Sequence, residues 1–88
     1  MKPLKFSARF IRNFRQRISH NEALVAAYKV SVEAFRTDRA AVGDHRLAGK
    51  MGMLRAFSVT DDYRVIYAEF RDYFLFEDIG THEQVYER

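Results

Sequence analysis

The stretch "MLRAFSVTDDYRVIYAEFRDYFLFEDI", residues 53–79, decides the fold. It holds three runs rich in aromatic and β-branched residues: MLRAFSVT, YRVIYAEF and YFLFEDI. Their lengths suit strands, and the DD and RD breaks between them are turn-like. The pattern predicts a three-stranded antiparallel meander. Its strand directions place Asp62 and the segment Gly80-Thr81-His82 at the same end of the sheet. With the last two strands paired directly, residues there are about 5 Å apart.

Upstream, AAVGDHRLAGKMG (residues 40–52) reads as a loop, and its tether lets His45 lie at either end of the sheet. KPLKF makes a short first strand, and Ser7 is the expected N-cap of a helix through SARFIRNFRQRI. There Ile11, Phe14 and Ile18 fall at helical spacing beside Phe10. Asn21 caps a second helix, EALVAAYKVSVEAFRTDR, with Leu24, Tyr28, Ser31 and Phe35 on one face. The short SHN link implies a helical hairpin. The expected class is therefore α+β: a short N-terminal strand and a helical hairpin packed on an antiparallel sheet of three to four strands.

Eighty-eight residues make one domain, 1–88, because a second would have no core of its own. A content of 48% hydrophobic and 15% aromatic residues excludes a disordered chain. Cysteine is absent, so disulfide frameworks and Cys-based zinc sites are excluded. With no signal peptide and no apolar run of membrane-spanning length, the chain reads as cytoplasmic and free of membrane. Charge is divided unevenly. Residues 1–56 carry twelve Lys/Arg against four Asp/Glu, a net of +8, while residues 57–88 carry three against eight, a net of −5. The basic sector is either a solvated helix face or a surface for a polyanion or an acidic protein.

Several side chains can carry chemistry. THEQ (residues 81–84) has the T-x-x-Q form of a capping box, which puts His82 at the first position of a short helix. Backbone N–H groups at that position can hold a phosphate. His45 lies among cations in GDHRLAGK, and Asp62 can orient a histidine or take a proton. Lys50, Arg55 and Arg64 are candidates for neutralising phosphate charge, and Tyr86 for stacking on a base. Each has an ordinary alternative: a surface histidine, a loop histidine bonding backbone, a turn Asp, a capping aromatic. His20 reads as a connector. No two histidines share i, i+3 or i+4 spacing, so neither metal nor cofactor is expected. Two histidines, an Asp and a basic sector are the parts of a metal-free ribonuclease, in which a base activates the ribose 2′-OH and an acid protonates the leaving 5′-oxygen.

Residues 44–86 also resemble the RelE/ParE superfamily of type II toxin–antitoxin toxins, most closely the YafQ type. The resemblance rests on DHRLAG before the first strand, DDYRVIY across the hairpin, and IGTH…VY at the end. It implies a ribosome-dependent mRNA interferase that works without metal, and a cognate antitoxin that neutralises it. Functional roles fall by resemblance on His45, Asp62, His82 and Tyr86, while Arg64 matches the arginine of a strand shared among RelE-like toxins. Two positions depart from the YafQ pattern: Ser58 stands where that type has a histidine, and Tyr86 where it has Phe. Ser58 cannot exchange a proton at neutral pH as imidazole does. The alternatives are a ParE-like gyrase poison and a catalytically weakened toxin that acts by binding.

Overall fold

The three strand-like runs pair as a meander in a computed structural model that describes residues 2–86. In chain order the elements are β1 (Leu4–Phe6), α1 (Ala8–Arg17), α2 (Glu22–Thr37), a 3₁₀ helix (Arg39–Val42), β2 (His45–Arg46), a second 3₁₀ helix (Gly49–Met51), β3 (Arg55–Ser58), β4 (Tyr63–Glu69), β5 (Phe74–Thr81) and α3 (His82–Tyr86). The α+β class and the two N-terminal helices are as the sequence implies. The sheet, however, is mixed and five-stranded, ordered β1-β5-β4-β3-β2. β1 lies parallel to β5 at one edge, and β2 adds an antiparallel pair at the other.

Both long helices start where a side-chain oxygen accepts an otherwise unpaired N–H. Ser7 Oγ accepts from Phe10 N at 3.0 Å, and Asn21 Oδ1 from Leu24 N at 3.1 Å. α1 departs from the expected apolar stripe, since Ile11 is 49% exposed and Asn13 only 7%. The cause is the neighbour. β1 pairs with only three residues of β5, which would leave the rest of that strand's edge bare. α1 takes over there with polar groups. Ser7 N donates to Phe76 O and Ser7 Oγ to Glu77 O, at 3.0 and 2.8 Å. Arg17 Nη1 donates to Ile79 O at 3.0 Å, and Asn13 Nδ2 to the buried Asp78 carboxylate at 2.7 Å.

Under the helices lies an aromatic core of Phe35, Phe57, Tyr67 and Phe76, with ring centroids 4.7 Å apart for Phe35–Phe57 and 4.9 Å for Phe35–Tyr67. The pairs Ile66↔Asp78 and Tyr67↔Phe76 leave Glu77 as a bulge. A regular strand would send Phe76 and Ile79 to opposite faces, but the extra residue lets both enter the helix-side core. On the other face, Val85 of α3 packs on Ala56 and Ile66.

The two-residue β2 is held by charge. Asp44 accepts from Arg55 Nη2 at 2.7 Å and from the Tyr67 hydroxyl, and Arg39 Nη2 lies 3.3 Å away. Arg39 also grips Glu69 at 3.0 Å, as does Lys2. Burial raises the Asp44 carboxyl, but the bonds from Arg55 and Tyr67 and the charge of Arg39 outweigh it, leaving a net depression. Arg39, and less so Lys2, hold Glu69 down to about 2 against partial burial. Both acids therefore add stability that is full above the ordinary carboxylate range and is lost as pH falls through the depressed values. Urea midpoints are expected to be flat near neutrality and to fall between about pH 4.5 and 2, with Glu69→Gln flattening part of that slope. A midpoint that rose on acidification would contradict the assignment.

Candidate active-site face

The β3–β4 turn and the end of β5 meet as the meander requires. Tyr63 pairs with Thr81, and His82 N donates to Asp62 O at 2.9 Å. The turn is braced from within. Thr60 Oγ1 accepts from Tyr63 N at 3.1 Å, and Arg64 Nη1 donates to the carbonyls of Thr60 and Asp61, both at 2.7 Å. A hollow of about 350 Å³ opens there, lined by Asp62, Tyr63, Thr81, His82 and Glu83.

α3 begins with the capping box written in the sequence. Thr81 N donates to Gln84 Oε1 at 2.8 Å and Gln84 N to Thr81 Oγ1 at 3.2 Å. The expected phosphate cradle is a different matter. The N–H of His82 is spent on Asp62 and that of Gln84 on Thr81, so the protein itself occupies these donors at the helix start. What α3 presents is side chains. The His82 and Tyr86 rings meet edge to face, 4.4 Å between centroids. Burial pushes the Tyr86 phenol up, with the nearby Arg64 charge opposing it.

His45 pairs with Ala56, so both side chains point to the face that carries Val85 of α3. Its Nδ1 lies 2.9 Å from Gly43 O. A carbonyl only accepts, so Nδ1 carries the hydrogen and Nε2 keeps a lone pair while the ring is neutral. Gly43 adopts a left-handed φ of 65°. A side chain there would sit 3.7 Å from Ser58 Oγ, and Ser58 pairs in turn with Arg64 and Arg64 with Gly80. His45, Ser58, Arg64 and Tyr86 thus surround one face of the sheet. The backbones of His45 and His82 lie three strand spacings apart, roughly 14 Å across the sheet, so serving one phosphodiester requires both imidazoles to reach inward over that face.

One expected phosphate contact is placed elsewhere. Arg55 points to the helix side, where its bonds to Asp44 and Tyr67 hold its guanidinium protonated. Lys50 sits in the second 3₁₀ helix, and its side chain lies outside the described residues. His20 is exposed in the link between α1 and α2. Sequence reasoning missed Asp44, Gly43 and Gly80. At Gly80 a Cβ would come within 2.7 Å of both Arg17 Nη1 and Gln84 Oε1, so a larger residue would have to displace the side chains that bond Ile79 O and Thr81 N there. The glycine ahead of the capping box was the available signal.

The larger hollow, about 500 Å³, is an apolar groove lined by Phe6, Phe10, Ile11, Phe14, Arg15, Ser19 and Tyr28. Its phenol is pushed up to about 12 by burial, and the groove holds no histidine or carboxylate. The His82 hollow, by contrast, is lined by a histidine and two carboxylates. Among the described residues, no three His, Asp or Glu side chains cluster as metal ligands, and no helix is long and apolar enough to cross a membrane.

No protein-family model and no curated protein matches this chain. Solved structures do. YafQ from E. coli aligns with a TM-score of 0.79 at 19% identity, over 98% of this chain and 99% of that one. A copper-bound mutant toxin from Helicobacter pylori aligns with a TM-score of 0.81 at 19% identity, over 98% and 100%. The YoeB dimer from Staphylococcus aureus gives 0.72 at 10% identity, over 92% and 97%. Structures of a DinJ–YafQ toxin–antitoxin complex and of a YoeB–YefM complex match as well. The likeness at such identities is one of fold, and by that measure this chain has the RelE-like fold of the YafQ and YoeB toxin structures.

Proposed function

We propose that residues 1–88 form one toxin domain of a type II toxin–antitoxin system, a ribosome-dependent endoribonuclease that cuts mRNA in the cytoplasm. The observation that carries this reading is the convergence of Asp62 and His82 on one hollow of a toxin fold, with His45 on the adjoining face. His45 Nε2 takes the proton from a ribose 2′-OH, and O2′ attacks the adjacent phosphorus. The P–O5′ bond breaks as His82, in its imidazolium form, gives a proton to O5′. The products are a 2′,3′-cyclic phosphate and a 5′-hydroxyl. Asp62 orients His82, Arg64 places positive charge beside the phosphate, and Tyr86 offers a ring to a base. Lys50 stays a candidate phosphate contact, and Arg55 is assigned to structure. Ser58, between Gly43 and Arg64, can donate a hydrogen bond to the substrate but leaves proton transfer to the two histidines and Asp62. No observation favours the ParE-like alternative.

A protein partner is part of the same reading. The groove beside α1 is apolar and includes Arg15, and Arg9 and Arg12 are exposed on the same helix. That chemistry fits an amphipathic, acidic segment of an antitoxin, with apolar side chains in the groove and carboxylates on the arginines. It lies apart from the His82 hollow.

His82→Ala and His45→Ala are each expected to lower ribosome-dependent message cleavage by about 10²–10⁴-fold and to relieve growth arrest. Unchanged cleavage in both would overturn the assignment. Ile11→Glu changes an exposed groove residue and is expected to leave cleavage intact while the antitoxin no longer neutralises the toxin. Normal neutralisation of that variant would place the antitoxin elsewhere.

A further inference from the structure

We infer that Asp44 is a positioning residue whose buried carboxylate sets the place and tautomer of the His45 imidazole. The inference rests on the reading of His45 as the base. β2 is two residues long, exposed and at the edge of the sheet, where two register pairs alone hold a strand poorly. Asp44 precedes it directly. Its side chain is 6% exposed and is held by Arg55 Nη2 at 2.7 Å, Arg55 Nε at 3.4 Å, Arg39 Nη2 at 3.3 Å and the Tyr67 hydroxyl. On the far side of β2, Arg46 Nε donates to Gly52 O at 2.8 Å and Leu47 N to Leu54 O at 3.0 Å.

Alternation sends Asp44 and His45 to opposite faces of the sheet. The carboxylate is anchored among the helix-side groups, and the imidazole stands on the candidate active face. Asp44 also lies between the two partners of the bond that fixes the ring, the carbonyl of Gly43 before it and Nδ1 of His45 after it. Any shift of Asp44 moves that acceptor and that ring relative to one another. The grip on Asp44 therefore decides whether Nε2 is the bare nitrogen and where it points. Arg55 and Arg39 act on the site through this acid without reaching the substrate.

The test is Asp44→Asn in the full chain, which keeps the shape and the acceptor oxygen but removes the charge. Long-range nitrogen–proton NMR spectra report the tautomer of each histidine. Expected are a mixed Nδ1/Nε2 tautomer and exchange broadening at His45 alone, with His20 and His82 unmoved. Cleavage should lose at least about tenfold in kcat with KM nearly constant, and in a His45→Ala background Asp44→Asn should cost nothing further. An unchanged His45 spectrum, or a full additive loss in the His45→Ala background, overturns the inference. If Asp44→Asn fails to fold, Tyr67→Phe removes one donor from Asp44 and is expected to shift the His45 spectrum in the same direction; no shift there overturns it too. The spectral arm is independent of cleavage. A His45→Ala variant that cleaves normally overturns the reading of His45 as base, and not its anchoring by Asp44.

Discussion

β5 must be paired on both sides, and β1 is too short to do it. Eight residues of β5 meet seven of β4 on one side but only three of β1 on the other. Uncapped carbonyls along an apolar strand would fray or recruit another chain. The structure resolves this by laying the polar side of α1 along the bare edge, where Ser7 and Arg17 donate to the strand carbonyls and Asn13 to the Asp78 carboxylate. That keeps β5 extended as far as Thr81, and so delivers His82 to the turn that holds Asp62. A fold-level constraint, the satisfaction of one strand edge, fixes the position of the candidate acid.

The two faces of the sheet divide the work. The helix side carries the aromatic core and, at its periphery, the ion cluster around Asp44. The α3 side carries the smaller buried cluster of Ala56, Ile66 and Val85, and His45 and His82 are exposed there. Stability is concentrated on one face, and the other is free to meet a substrate. The Asp44 carboxylate is buried while its arginine partners are partly exposed, so removing one of them strands a charge that solvent reaches poorly. The cluster is thus a rigid mount for the short strand that bears His45.

Local chemistry was legible wherever the deciding partners were near in sequence. The caps at Ser7 and Asn21, the capping box Thr81/Gln84, and the three meander strands all follow from neighbours within a few residues. The meeting of Asp62 with His82 followed from strand direction alone. What was not legible depended on partners far along the chain. Asn13 is buried because of Asp78, and Arg55 turns inward because Asp44 and Tyr67 wait on that face. The parallel placement of β1 and the bulge at Glu77 likewise have no local signature. β2 carries no strand-like composition, since its pairing depends on an ion pair rather than on β-propensity.

The central claim is that the His82 end of this sheet cleaves RNA by attack of a ribose 2′-OH, with side chains moving the protons. The chemistry of the cut ends tests it most directly. After incubation of the purified protein with translating ribosomes, the account predicts message fragments ending in 2′,3′-cyclic phosphate with 5′-hydroxyls on the downstream pieces. Fragments with 3′-hydroxyl and 5′-phosphate ends, or intact message during growth arrest, would contradict it.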